Sequence, residues 1–147
     1  MVAKAKVVKL MAVGDVMLRT RDRDPFGKVR SVLRCKDILF GNLETVLADG
    51  AEKAQKAYIS STPPNLAREL RKAGFDVINV ANNHIMDLGV EGLNKTLEVL
   101  NENGLLFIGV RNRIFTEPWA IVERNGVKLG FLGYSESGFS DSRKDIF

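Results

Sequence analysis

FDVINVANNHIMDLG, residues 75–89, decides the fold, because an apolar strand runs there straight into a cluster of polar groups. Phe75, Val77, Ile78, Val80 and Ala81 make both faces of the pleat apolar, the pattern of a parallel strand covered by helices on both sides. Asn79 is the polar exception. Asn82, Asn83, His84 and Asp87 follow within six positions, ahead of Gly89 and an amphipathic run. Open parallel sheets bind ligands outside the carboxyl ends of their strands, so these side chains stand where chemistry is done. His84 is the single histidine among 147 residues.

Working outward, the β-branched run 7–13 predicts a first strand that ends at Gly14-Asp15 and delivers Asp15 to the same edge. Asp24-Pro25 resembles an N-cap with proline at the first helical position, and Phe26, Val29, Val32 and Leu33 continue at helical spacing to about Cys35. Residues 38–40 read as a short buried second strand that releases Gly41, Asn42, Leu43 and Glu44. Residues 48–61 lack periodicity and read as a loop beside the strand ends, closed by Thr62-Pro63-Pro64. Leu66, Ala67, Leu70 and Ala73 mark a second helix, with Gly74 as its left-handed C-terminal residue. Val90, Leu93, Leu97 and Leu100 mark a third, ended by Gly104, and residues 105–110 a fourth strand. Two further strand-like runs, 119–122 and 127–134, flank Asn125-Gly126, a strong hairpin signal. Strand and helix alternate as far as residue 110, which argues an α/β fold with a mostly parallel sheet and an antiparallel C-terminal hairpin.

Composition narrows the function. The chain is 45% apolar and 27% charged, and 22 Lys plus Arg against 18 Asp plus Glu leave a net charge of +4. No block of like charge points to nucleic acid, and the basic residues Lys4, Lys6, Lys9, Arg19, Arg21 and Arg23 read as solvated surface. Cys35 is the only cysteine, so neither an intrachain disulfide nor a thiolate cluster is available, and a small buried residue is expected there. Residues 1–15 read as a strand rather than a signal peptide, and no run approaches the length of a membrane span. A cytoplasmic chain is the expectation. Phosphate-loop, dinucleotide-binding and serine-hydrolase motifs are absent.

Three strands therefore present Asp15, then Asn42 and Glu44, then Asn83, His84 and Asp87 at one edge. Taken singly, each motif has a plain structural explanation: Asp after Gly caps turns, Asn-Asn tolerates left-handed backbone, and a lone histidine is often a hydrogen-bonded core residue. Their coincidence on three strand ends favours chemistry. Oxygen donors with one imidazole suit Mg²⁺, Mn²⁺ or Zn²⁺, and an imidazole at a strand end can act as a general acid.

At these residues GDVML (14–18), FGNLE (40–44), AGFDVINVANNHIMDLG (73–89) and NGVKLGFLGY (125–134) resemble the CapA/PgsA family of capsule and poly-γ-glutamate synthesis proteins, in order, over about residues 7–138. That domain is similar to the calcineurin-like metallophosphoesterases. The resemblance implies a four-layer α-β-β-α sandwich with metal at the shared edge of its two sheets. It implies Asp15, Asn42, Glu44 and Asn83 as metal-binding residues, His84 as the group that contacts the scissile phosphate, and Asp87 as the close of an NHxxD signature. Arg19 and its neighbours lie where they would attract an anionic substrate. Two departures accompany the match: Met17 stands where phosphoesterases carry a histidine, and the histidines that their C-terminal half supplies have no counterpart here. The expectation is thus one domain, 1–147, truncated before its C-terminal half, and catalysis without that half is in doubt.

Two functions follow from the resemblance. One is metal-dependent hydrolysis or transfer at a phosphoester or related bond, with at most one weakly held ion. The other is a non-catalytic assembly component that holds an anionic polymer or small molecule, within a membrane-associated complex if the family resemblance extends that far. Half of a sandwich also leaves a sheet face bare. Val7, Leu10, Ile78, Val80, Phe107, Phe131 and Leu132 include residues expected on that face, so self-association or a separate C-terminal-half chain is expected to cover it.

Overall fold

The computed structural model describes residues 6–19, 24–50, 54–55, 57–111, 114–115 and 117–135. In chain order its elements are β1 (Leu10–Val16), α1 (Arg30–Leu33), β2 (Ile38–Leu43), β3 (Val46–Leu47), β4 (Ser61–Thr62), α2 (Ala67–Ala73), β5 (Val77–Asn79), α3 (Gly89–Glu102), β6 (Leu106–Ile108), β7 (Trp119–Arg124) and β8 (Val127–Leu132). The strands β1, β2, β5 and β6 form one parallel sheet in that spatial order. The class is α/β, as the alternation predicts.

The two faces of the sheet are covered differently. Leu39, Ile78 and Val80 pack against Leu33 of α1, Leu70 of α2, and Leu93, Leu97 and Leu100 of α3. Ile38, Val77 and Ile108 point the other way and meet Ala120 and Val122 of the hairpin, while Phe40 stacks on Phe131 at 5.9 Å. The expectation of helices on both sides of residues 75–81 is therefore corrected, since β7 and β8 form a separate two-stranded ladder that covers the second face. An apolar strand interior reports burial on both faces but not what buries it. Asn125 and Gly126 at the tip have φ of 52° and 70°, the pair of left-handed residues that a two-residue hairpin turn needs.

Other expectations shift in detail. β1 begins at Leu10 and runs through Asp15, and β2 runs through Asn42, so both residues lie within paired strands rather than just beyond them. The first helix shrinks to four residues, because Val29 and Val32 face solvent and only Phe26 and Leu33 are buried. Asp24 accepts a turn hydrogen bond from Gly27 and pairs with Arg30, without capping the helix. Cys35 is exposed, with Sγ 3.2 Å from the Ser31 carbonyl oxygen, so its expected burial is wrong. Residues 61–62 form a short parallel pair with residues 46–47, just where the loop was expected to end.

The face expected to be bare is only partly so. Ile78 and Val80 are buried beneath the helices, and Phe107 is half-buried against Phe115, so these three do not belong to an open surface. Val7 and Leu10 are exposed. So are Trp119, Ile121 and Leu132 on the outward side of the hairpin. Among the described residues no helix is long and apolar enough to cross a membrane.

Candidate functional site

The site begins with an irregularity in β1. Ala12 lies opposite Phe40 and Asp15 opposite Asn42, so β1 spends three residues where β2 spends two. Such a bulge changes which side chain reaches a given face, and here it sets Asp15, rather than Gly14, beside Asn42. Asn42 in turn lies opposite Asn79 on β5. One polar row thus crosses three adjacent strands at their carboxyl ends.

Asn42 is the hub of that row. Its Nδ2 donates to Asp15 Oδ1 at 2.9 Å and to Glu44 Oε1 at 3.3 Å. Its Oδ1 accepts from Asn79 Nδ2 at 2.8 Å and from Asn82 Nδ2 at 3.1 Å. Asn79 fits beneath the hairpin because the residues facing its Oδ1 are Gly109 and Gly133, where a Cβ would collide with it. A polar residue in a buried strand needs partners, and this one has them.

The histidine forms the second half of the site. His84 Nδ1 lies 2.7 Å from Asp87 Oδ2, and the same oxygen accepts from Ser60 N at 2.7 Å. Asp87 is fully buried, beneath the ring rather than at the surface, so any influence it has on a ligand passes through His84. Ser60 Oγ reaches Thr45 Oγ1 at 3.1 Å, which also accepts from Leu18 N, and β3 and β4 hold these two segments together. Tyr58 sets its ring edge-on to His84 at a centroid distance of 5.8 Å and its hydroxyl 3.5 Å from Met17 Sδ. Asn82 joins the halves, donating to Asn42 and Leu43 O while its Oδ1 accepts from His84 N at 3.0 Å.

Of the expected site residues, Asp15, Asn42, Glu44, His84 and Asp87 belong to this connected network. Asn83 is exposed on the turn that follows β5, and Arg19 is exposed after β1. Arg21 and Arg23 lie outside the described residues. Sequence reading left Asn79 and Asn82 without a role, and Thr45, Tyr58 and Ser60 unnoticed. Asn79 carried a signal as the polar exception in an apolar strand, and Asn82 as the first of the polar cluster that follows it.

Asp15 and Glu44 are two carboxylates within hydrogen-bond distance of one nitrogen, which suits a single hard ion held by oxygens. Among the described residues no group of three or more His, Cys, Asp or Glu side chains is arranged to hold a metal, so the two carboxylates and the amide oxygens beside them are the donors at this edge. The carboxylate of Asp87 is already committed to Ser60 and His84.

Fold and site together define an α/β domain with a carboxylate–amide row and a His–Asp pair at the ends of parallel strands. Its sequence matches the family described as bacterial capsule synthesis protein PGA_cap over residues 9–146, and the chain belongs to that family. It is 36% identical over 112 residues to protein y4sH of Sinorhizobium fredii, covering 69% of this chain and 24% of the relative. It is 29% identical over 140 residues to the capsule biosynthesis protein CapA of Bacillus anthracis, covering 85% of this chain and 34% of the relative. The PGA biosynthesis protein CapA of Bacillus subtilis is also 29% identical, over 115 residues, 76% of this chain and 30% of the relative. The chain thus spans about a quarter to a third of the length of these relatives.

Proposed function

We propose that this domain acts in the synthesis of a capsule or poly-γ-glutamate polymer by metal-dependent hydrolysis or transfer at a phosphoester or related bond of an anionic substrate. The observation that carries the reading is the placement of the His84–Asp87 pair beside the Asp15–Asn42–Glu44 row, with Asn82 bonded to both. Asp15 and Glu44, with Asn83 on the neighbouring turn, would hold the ion. A bound divalent cation supplies Lewis-acid polarisation and a more acidic water.

The chain's own residues do the rest. The Asp87 carboxylate accepts from Nδ1–H of His84, which fixes the ring and leaves Nε2 as the nitrogen that holds or gives a proton at a leaving oxygen. Tyr58 lies edge-on beside the ring with its hydroxyl against Met17 Sδ, and Met17 places a thioether where phosphoesterases carry a histidine. Trp119, Ile121 and Leu132 offer a surface for a second copy or a separate C-terminal-half chain, which light scattering at micromolar concentration would detect as a mass above that of the monomer.

A second reading, a non-catalytic component that holds an anionic ligand, is favoured by one observation: both acceptor positions of Asn42 Oδ1 are filled by amides. The two are separated by hydrolysis of bis(p-nitrophenyl) phosphate in Mn²⁺. Turnover that EDTA abolishes and that Asp15→Ala lacks is the expected result. Equal background rates in all samples would leave the binding reading.

A further inference from the structure

We infer that Asn42 is a stand-in for a cation: its amide NH₂ occupies the point between the Asp15 and Glu44 carboxylates that a divalent ion would take, so ion binding requires that amide to turn away. This deepens the proposed metal-dependent reading and rests on it for the identity of the ion.

The amide's orientation follows from its neighbours. Asn79 is fixed by its contacts with Ala81, whose N–H donates to Asn79 Oδ1 and whose carbonyl accepts from Asn79 Nδ2. Asn82 is fixed likewise, since its Oδ1 accepts from His84 N and its Nδ2 donates to Leu43 O. Both therefore point NH₂ groups at Asn42. Turning Asn42 by half a revolution would set its own NH₂ against these two donors and its oxygen against two carboxylates, so only the observed orientation satisfies every group. The NH₂ group carries partial positive charge and two hydrogens, and each hydrogen meets one carboxylate. The site is thereby satisfied without an ion. A cation must displace two hydrogen bonds to the carboxylates, and Asn42 Oδ1 becomes a ligand only by giving up Asn79 and Asn82. Asn42 is accordingly a positioning residue that sets the affinity of the site.

Asn42→Asp tests this, with Mn²⁺ alone as the probe. The substitution keeps an oxygen for Asn79 and Asn82 but turns a second oxygen towards Asp15 and Glu44, replacing attraction with repulsion that only a cation relieves. In EDTA the variant is expected to melt below the wild type, and calorimetry is expected to show Mn²⁺ binding at least tenfold tighter than in the wild type. A variant that melts like the wild type in EDTA, or binds Mn²⁺ no more tightly, overturns the inference. If Asn42→Asp does not fold in EDTA or in Mn²⁺, Asn42→Ala vacates the position without adding charge. Its melting temperature is expected to rise more with Mn²⁺ than that of the wild type, and an equal or smaller rise overturns the inference. Neither readout uses a phosphoester, so loss of the hydrolysis reading and loss of this one are separately visible.

Discussion

Asp87→Ala is expected to lower the stability of the domain by about 2–5 kcal/mol, because it takes the acceptor away from two enclosed donors at about 1–3 kcal/mol each. Asp87 is fully buried, and a single oxygen receives both Ser60 N–H and the His84 ring. Alanine leaves a buried backbone donor unpaired, at about 1–3 kcal/mol, and frees an imidazole that is itself largely enclosed. It also loosens the tie between the turn after β5 and the strand pair β3–β4, because Ser60 carries that tie. Against a typical total of about 5–15 kcal/mol this is a large fraction. Urea unfolding reads it directly. Asp87→Asn, which keeps an acceptor for Ser60, is expected to lose much less, and equal losses in the two variants would show that the His84 contact and the Ser60 contact had been weighed wrongly.

The second large effect concerns rate. Under the proposed chemistry His84→Ala is expected to reduce phosphodiester turnover by about 10²–10⁴-fold, the range for loss of a positioned general acid. The fall should appear in kcat more than in KM, because an imidazole that protonates a leaving oxygen acts in the transition state and not in ground-state binding. Mn²⁺ binding should change little, since His84 reaches the carboxylate row through its backbone N–H and Asn82 rather than through its ring. A turnover unchanged within twofold would remove His84 from the reaction.

What could be read from the sequence was whatever short-range pattern determines. The apolar runs fixed the strands, Gly74 with φ 97° ends α2 as expected, and Asn125-Gly126 turns the hairpin. Asp15, Asn42, Glu44, His84 and Asp87 were picked out because strand ends in a parallel sheet share an edge. What could not be read was set by partners distant in the chain. The bulge that aims Asp15 depends on how β1 pairs with β2, and no local pattern around Gly14 specifies it. Asn79 was visible as an exception, yet its meaning lies in the register that sets it opposite Asn42. The spacing of Val29 and Val32 looked helical, but the chain there makes turns with both side chains in solvent, and a four-residue helix is all that remains. The pairs β3 and β4, two residues each, are too short to carry any periodicity.

The strand ends form one organised site only if Asp87 holds His84 by Nδ1, and the imidazole itself reports that most directly. His84 is the only histidine in the chain, so its imidazole nitrogens can be assigned in a long-range ¹H–¹⁵N spectrum without ambiguity. At a pH where the ring is neutral, the structure predicts a single tautomer with the proton on Nδ1 and a bare Nε2. It also predicts that Asp87→Ala, which removes the oxygen that Nδ1 meets, abolishes this preference. A ring protonated on Nε2, or one averaging between tautomers in the wild type, would contradict the geometry on which the proposed chemistry rests.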